Sequence, residues 1–372
     1  MISQANVYLF LLILIETIIL KSDAYSVAVF GGSGYVGRRV CRNLVEAGCD
    51  VISISRSGRP PTYYCDASTD LVSWEIFDLA SDSNSPKLPK IDAAVSCIGN
   101  VNPDSERDLS TFFGLAFNDD RLYRENGILN ENAARMAKEA GAERFIFLSV
   151  SYEVAKMVEG PLEGYMDGKR HAEHIAYELF PNDGAVVLGP SLIYGGKRFP
   201  RVGDAYRSFV QSPIAKVYVG GNESLRKLSS ASMEDWVEKA LFSPPVNVDV
   251  VGRVASAAAL GLVKRDMVGD RKQGFFNSFG KSVTYDNVVF VDGTSELERI
   301  DVITRDSVTE MRGKKSPNAS TSTQTSKDRG VEPPYEGALA GFRPYTFPLP
   351  VITFFLLVFY SILSGQFVGE LH

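Results

Sequence analysis

The segment Ser26-Val-Ala-Val-Phe-Gly-Gly-Ser-Gly-Tyr-Val-Gly-Arg-Arg-Val40 constrains the fold more than any other, because a buried strand, a glycine-rich turn and a helix start follow without a break. Gly31, Gly34 and Gly37 fall at GxxGxxG spacing. That spacing supplies a tight turn off the strand, close backbone approach to a pyrophosphate, and close packing of helix on strand. The helix N-terminus then faces the phosphates with its unpaired N–H groups. Gly31, Gly32, Ser33, Gly34, Tyr35, Val36, Gly37 and Arg38 are therefore the first candidates for holding a dinucleotide.

A glycine turn alone joins many strands to helices, so the surrounding pattern decides. Asp50-Val-Ile-Ser-Ile-Ser55 reads as a second buried strand one helix later. Val72-Ser-Trp-Glu-Ile-Phe77, Asp92-Ala-Ala-Val-Ser-Cys-Ile-Gly99 and Arg144-Phe-Ile-Phe-Leu-Ser149 repeat the strand signal. Apolar, β-branched strands alternating with helical stretches predict an α/β chain with a doubly wound parallel sheet covered on both faces. A Rossmann domain is expected over 25–188, and a smaller substrate lobe over 189–312. In that lobe, 195–225 reads as loops and short helices of a lid, and Val250 to Val263 as a helix packing back on the core. The alternative is an α/β fold whose glycine turn holds nothing.

A chain of 372 residues, 45% hydrophobic, can bury a sizeable core, and a net charge of −6 gives no electrostatic reason to expect nucleic acid as a partner. Cys41, Cys49, Cys65 and Cys97 show no metal-like spacing and read as buried free thiols, with two disulfides as the alternative in an oxidising compartment. His171 and His174 share one predicted helix without further ligands, so no metal site is expected.

Both ends are apolar. Val7 to Leu20 is broken only by Glu16 and Thr17 and precedes Lys-Ser-Asp-Ala24, so 1–24 reads as a signal peptide or an uncleaved membrane anchor. Gly313 to Gly330 is polar and of low complexity, and 313–346 reads as a flexible linker. No charged residue occurs between Arg343 and Glu370, and 347–368 is expected to span a membrane, with a helix docked on protein as the alternative. The sequons at Asn222 and Asn318 gain meaning only if the chain enters the secretory pathway.

After the fifth strand, Tyr165-Met-Asp-Gly-Lys169 sets a phenol and an ammonium at i, i+4 on one helix face. A phenol of pKa about 10 exchanges protons poorly at neutral pH, and a nearby cation favours its phenolate. Beside a dinucleotide turn, that pair reads as a general acid with its tuning lysine.

On these residues the chain resembles the atypical extended branch of the short-chain dehydrogenase/reductase superfamily. The likeness rests on the GGSGYVG turn, Asn130 and Asn132, the Phe145–Ser149 strand, the Tyr165–Lys169 motif and Gly189-Pro-Ser-Leu-Ile-Tyr-Gly195, over about residues 26 to 260. It looks closest to the group of the complex I Rossmann accessory subunit, coenzyme Q biosynthesis-associated proteins and plastoglobule proteins. The resemblance implies that Tyr165 passes a proton, that Lys169 lowers its pKa and holds the ribose, and that a serine after the fifth strand orients the substrate oxygen. The chain departs from the pattern there: Val150 holds the usual serine position, leaving Ser149 or Ser151 to substitute.

Ser55-Arg56-Ser57 stands where an acid would bind the ribose of NAD, which favours NADP(H) over NAD(H), with Arg56 forking onto a 2′-phosphate and Arg38 nearby. The resemblance places Asp78 at adenine, and Cys97, Ile98 and Gly99 should line the path to the nicotinamide. The expected function is a membrane-associated reductase or dehydrogenase acting on a carbonyl or alcohol of an apolar, quinone- or isoprenoid-like substrate. Two rivals stand beside it: a cofactor-locked structural or assembly factor of a membrane complex, and a nucleotide-sugar epimerase or dehydratase. The resemblance points to mitochondrion or plastid, whereas the N-terminal segment points to the endoplasmic reticulum.

Overall fold

The computed structural model describes residues 24–59, 68–81, 87–101, 118–158, 162–196, 207–208, 210–211, 243–268, 275–276, 282–283 and 289–315. The strands are β1 (Ser26–Phe30), β2 (Asp50–Ser55), β3 (Val72–Ile76), β4 (Ala93–Ser96), β5 (Arg144–Leu148), β6 (Ala185–Gly189), β7 (Ile193–Tyr194), β8 (Val246–Asn247), β9 (Phe275–Phe276), β10 (Ser282–Val283) and β11 (Val289–Asp292). Seven of them form one sheet in the order β11-β6-β5-β4-β1-β2-β3, and every pairing in it is parallel. The chain builds outward from β1 to β3, then crosses to start β4 on the other side of β1. That reversal opens a crevice at the carboxyl ends of β1 and β4, where open parallel sheets take their ligands.

Strand alternation divides the core between the two faces. Val27 and Val29 of β1 pack with Val40 and Leu44 of α1 (Gly37–Glu46). Ala28 and Phe30 face the other way. The segment from Asp119 to Glu139 is helical throughout: α2 (Asp119–Tyr123), a π-type stretch over Arg124–Ile128, then α3 (Leu129–Glu139). After β5 come α4 (Tyr152–Val158) and α5 (Glu163–Leu179). Ala133 and Ala137 of α3, with Ala172, Ile175 and Ala176 of α5, complete the second core.

The helix expected near Val250 is α6 (Val248–Ala259), capped by the Asn247 side chain, which accepts from the Asp249 N–H at 2.8 Å. Its Val251, Val254 and Ala255 join the first core, as do Leu297 and Ile300 of α7 (Gly293–Lys315). Arg253 of α6 donates to both oxygens of the buried Asp301 of α7, at 2.7 and 2.8 Å. β11 lies within the stretch expected as the smaller lobe and completes the sheet against β6. α7 continues to Lys315, three residues into the expected linker.

No described helix is long and apolar enough to cross a membrane. The terminal segments 1–23 and 347–368, Cys65 and both sequons lie outside the described residues. Cys41, Cys49 and Cys97 are free thiols.

Helix α5 meets the α2–α3 segment through glycines. A Cβ at Gly168 would stand 2.9 Å from both the Gly127 nitrogen and the Tyr123 carbonyl oxygen, atoms of helix backbone that cannot turn aside. Gly168→Ala gains about 1 kcal/mol of helix propensity but incurs overpacking of about 1–3 kcal/mol. The net loss of up to about 2 kcal/mol lowers Tm by as much as a few degrees in circular dichroism melts, and a raised Tm would contradict the close approach.

Candidate functional site

The glycine turn begins where β1 ends. Gly31 takes φ +76°, a conformation that favours glycine, and its N–H bonds the Ile54 carbonyl of β2 at 2.8 Å. Gly37 opens α1 in tight contact: a Cβ there would overlap the Gly31 carbonyl oxygen and stand 2.8 Å from the Gly32 Cα. Gly34 differs, since a Cβ would meet only the Gly31 oxygen, at 3.0 Å, and otherwise open space. Backbone therefore stands exposed at the mouth of a ten-residue helix with no side-chain cap. This cradle fits a pyrophosphate, and the residues around it fit the rest of a dinucleotide.

At the end of β2, hydroxyls converge. Ser55 Oγ and Ser57 Oγ lie 3.3 Å apart, Ser57 Oγ donates to Ser33 Oγ at 3.5 Å, and the Gly58 N–H donates to Ser55 Oγ at 3.2 Å. Arg56 is exposed beside them. Asp78 is exposed after β3, its carboxylate accepting from the Ala80 N–H at 3.0 Å. Val36 packs on the core, and the Arg38 guanidinium lies 5.8 Å from the Tyr35 ring centroid. Tyr35 reaches over the turn, its hydroxyl donating to the Gly195 carbonyl at 2.7 Å, while Arg39 donates to the Tyr35 carbonyl and to Asp249.

Across the crevice, the Cys97 N–H bonds the Phe30 carbonyl at 2.9 Å, aligning the ends of β1 and β4. Burial pushes the Cys97 thiol well above its ordinary range, as befits a wall residue. Lys169 arrives from α5 and ties two strand ends together, donating to the Leu148 carbonyl at 2.8 Å and the Ile98 carbonyl at 3.3 Å. A Cβ at Gly99 would stand 3.1 Å from Lys169 Nζ, so glycine leaves the room this lysine uses. Lys169 is 3% exposed, its ammonium 4.9 Å from the Phe147 ring centroid and 5.7 Å from that of the half-buried Tyr165. Burial pushes its pKa down to about 8, opposed by the nearby Glu173.

The two serines part company. Ser149 Oγ donates to the buried Glu173 carboxylate of α5. Ser151 is fully buried, and its hydroxyl has no hydrogen-bond partner among the described residues. Asn130 accepts from Ser96 Oγ at 2.5 Å and donates to the Asn126 carbonyl at 2.8 Å. Asn132 instead donates to the Leu79 carbonyl at 2.8 Å, away from Lys169. Sequence reasoning gave no role to Asn126 or Glu173. Asn126 sits in the π-type stretch and holds the strand end beyond Gly99, donating to the Asn100 carbonyl at 2.7 Å and accepting from its N–H at 3.0 Å. Glu173, one turn beyond Lys169, was the readable signal: two charged residues on the inward face of one helix.

An open cleft of ≈ 790 Å³ lined by Arg144, Asp183, Gly261 and Lys264 lies elsewhere, at the amino end of β5. Its size does not make it the site, because in a parallel sheet the glycine turn and the helix N-termini gather at the carboxyl edge.

The profile of the NAD dependent epimerase/dehydratase family matches residues 27–237. The chain belongs to that family. As a member it is an NAD(P)-binding protein of the extended short-chain dehydrogenase/reductase type, which accounts for the glycine turn, the sheet order and the helix carrying Tyr165 and Lys169. An uncharacterized chloroplastic protein of Arabidopsis thaliana is 32% identical over 241 residues, spanning 64% of this chain and 72% of the relative. Among solved structures, a UDP-galactose 4-epimerase matches at 18% identity, with 63% of this chain and 71% of that chain covered and a TM-score of 0.40. MoeE5 in complex with UDP-glucuronic acid and NAD matches at 17%, with 72% and 76% covered and a TM-score of 0.41.

Proposed function

We propose that this epimerase/dehydratase-family chain is an NADP(H)-dependent oxidoreductase that acts on a carbonyl or alcohol of an apolar substrate at a membrane. The observation that carries the reading is Lys169, buried and hydrogen-bonded to the ends of β4 and β5, with Tyr165 above it on the same helix. The dinucleotide, when bound, supplies the hydride donor or acceptor. The protein's share is the proton: Tyr165 Oη gives it to, or takes it from, the substrate oxygen. The Lys169 ammonium favours the phenolate by charge. Its anchoring to two backbone carbonyls fixes that charge relative to the crevice.

The choice of NADP(H) rests on Ser33, Ser55, Ser57 and the exposed Arg56 around the end of β2, with no carboxylate in the set. Arg56→Glu is expected to weaken NADPH binding about 10- to 100-fold, as follows from about 1.5–3 kcal/mol for a charge-assisted hydrogen bond. NADH affinity should hold, and fluorescence titration of both dinucleotides reads the ratio. Equal losses for the two would remove the 2′-phosphate assignment. The apolar segments at 1–24 and 347–368 support membrane association, and the chloroplastic relative supports a plastid setting.

The family profile favours a second reading, a nucleotide-sugar epimerase or dehydratase. The test is incubation of the full chain with NADPH and a panel of quinones and aldehydes, and separately with NAD and UDP-sugars. Net NADPH oxidation is expected. Conversion of a UDP-sugar without net change in the dinucleotide would establish the second reading. NADPH held tightly without turnover on either panel would establish the cofactor-locked structural role.

A further inference from the structure

Glu173 is 4% exposed, a burial that carboxylates tolerate only when partnered. It lies one helical turn from Lys169, and the Ser149 hydroxyl reaches it from the end of β5. An ionised carboxylate only accepts hydrogen bonds, and a serine hydroxyl has one proton to donate. With its hydroxyl donating to Glu173, Ser149 has no proton left to offer a substrate oxygen. We propose that Glu173 is a positioning residue: a buried carboxylate, fixed by the Ser149 hydroxyl, that holds the Lys169 side chain as an ammonium at the ends of β4 and β5. The inference rests on the proposed function only in taking Lys169 as the group that works in the crevice.

Among the described residues, the titratable groups facing Lys169 are Glu173 and Tyr165 from its own helix and Cys97 from the end of β4, beside Phe147 and the Leu148 and Ile98 carbonyls. Its pKa of about 8 in the fold lies below the ordinary 10.5. Between those values the unfolded chain binds the extra proton, so the contribution of Lys169 to stability rises with pH across that window. Below the window, the full penalty of burying the charge is present.

Thermal melts of the full chain from pH 6 to 10.5 test this without any dinucleotide. The difference in Tm between wild type and Lys169→Met isolates the lysine, and its rise marks the pH where the folded lysine loses its proton. The same pair built on Glu173→Gln, which keeps the shape and a hydrogen-bond acceptor but removes the charge, is expected to show that rise about one pH unit lower, a tenfold loss of proton affinity. Glu173→Asp, which keeps the charge, should bring the rise back toward wild type and serves if the Gln variant does not fold. Ser149→Ala should move the rise in the same direction as Glu173→Gln, because the carboxylate loses its anchor. An onset unmoved by Glu173→Gln, or one lowered by a full pH unit or more in Glu173→Asp, which keeps the charge, overturns the role of Glu173. An onset unmoved by Ser149→Ala overturns the anchoring. NADPH titration of the same proteins separates this inference from the proposed function: a shifted onset in a chain that binds no dinucleotide would leave Glu173 in its role and remove the NADP(H) reading.

Discussion

Tyr165→Phe is expected to lower turnover about 10²- to 10⁴-fold, the usual contribution of a positioned acid or base. Dinucleotide affinity should change by no more than about tenfold, the worth of one hydrogen bond. The separation follows from the geometry. Only the hydroxyl is lost, while the ring stays on α5 beside the Lys169 ammonium, 5.7 Å from its centroid. The glycine turn and the hydroxyls at the end of β2 come from other elements and are untouched. Steady-state rates on whichever substrate of the panel turns over, with NADPH titration alongside, check both halves. Activity retained within about tenfold would show that another group moves the proton.

Gly37→Val is expected to act on the fold and the binding site together. The first atom of the new side chain overlaps the Gly31 carbonyl oxygen and crowds the Gly32 Cα and the Gly31 carbonyl carbon, at 2.8 and 2.9 Å. All three are backbone, so α1 must move off the turn. Overpacking of this kind destabilises by about 1–3 kcal/mol. The displaced turn should also lose at least two charge-assisted hydrogen bonds to phosphate, more than about 100-fold in Kd. Circular dichroism melts and NADPH titration give the two numbers. Wild-type affinity in this variant would mean that the turn does not carry the pyrophosphate.

Much of this architecture is legible locally. The run from Ser26 to Val40 contains β1, the turn and the start of α1 in order, because each is set by neighbours a few residues away. The i, i+4 spacing of Tyr165 and Lys169 likewise needs only the pitch of a helix. What escapes local reading depends on partners distant in sequence. The hydroxyl of Tyr35 finds its acceptor 160 residues on, at Gly195. Glu173 finds Ser149 beyond α4, 24 residues back, so the expectation that Ser149 and Ser151 are interchangeable could be resolved only in three dimensions. β11 hides for a related reason. Its Val-Phe-Val run carries a strand signal, but nothing local says which edge of which sheet it will join.

The late arrival of β11 bears on how the chain comes off the ribosome. β6 ends at Gly189 and its outer partner begins at Val289, so at about 5–20 residues per second the β6 edge waits roughly 5–20 s for its neighbour. During that interval an apolar strand, Ala185-Val-Val-Leu-Gly189, presents unpaired N–H and C=O groups to whatever is nearby. A nascent chain stopped between residues 189 and 289 lacks that partner, which makes such prematurely terminated products prone to edge-to-edge aggregation.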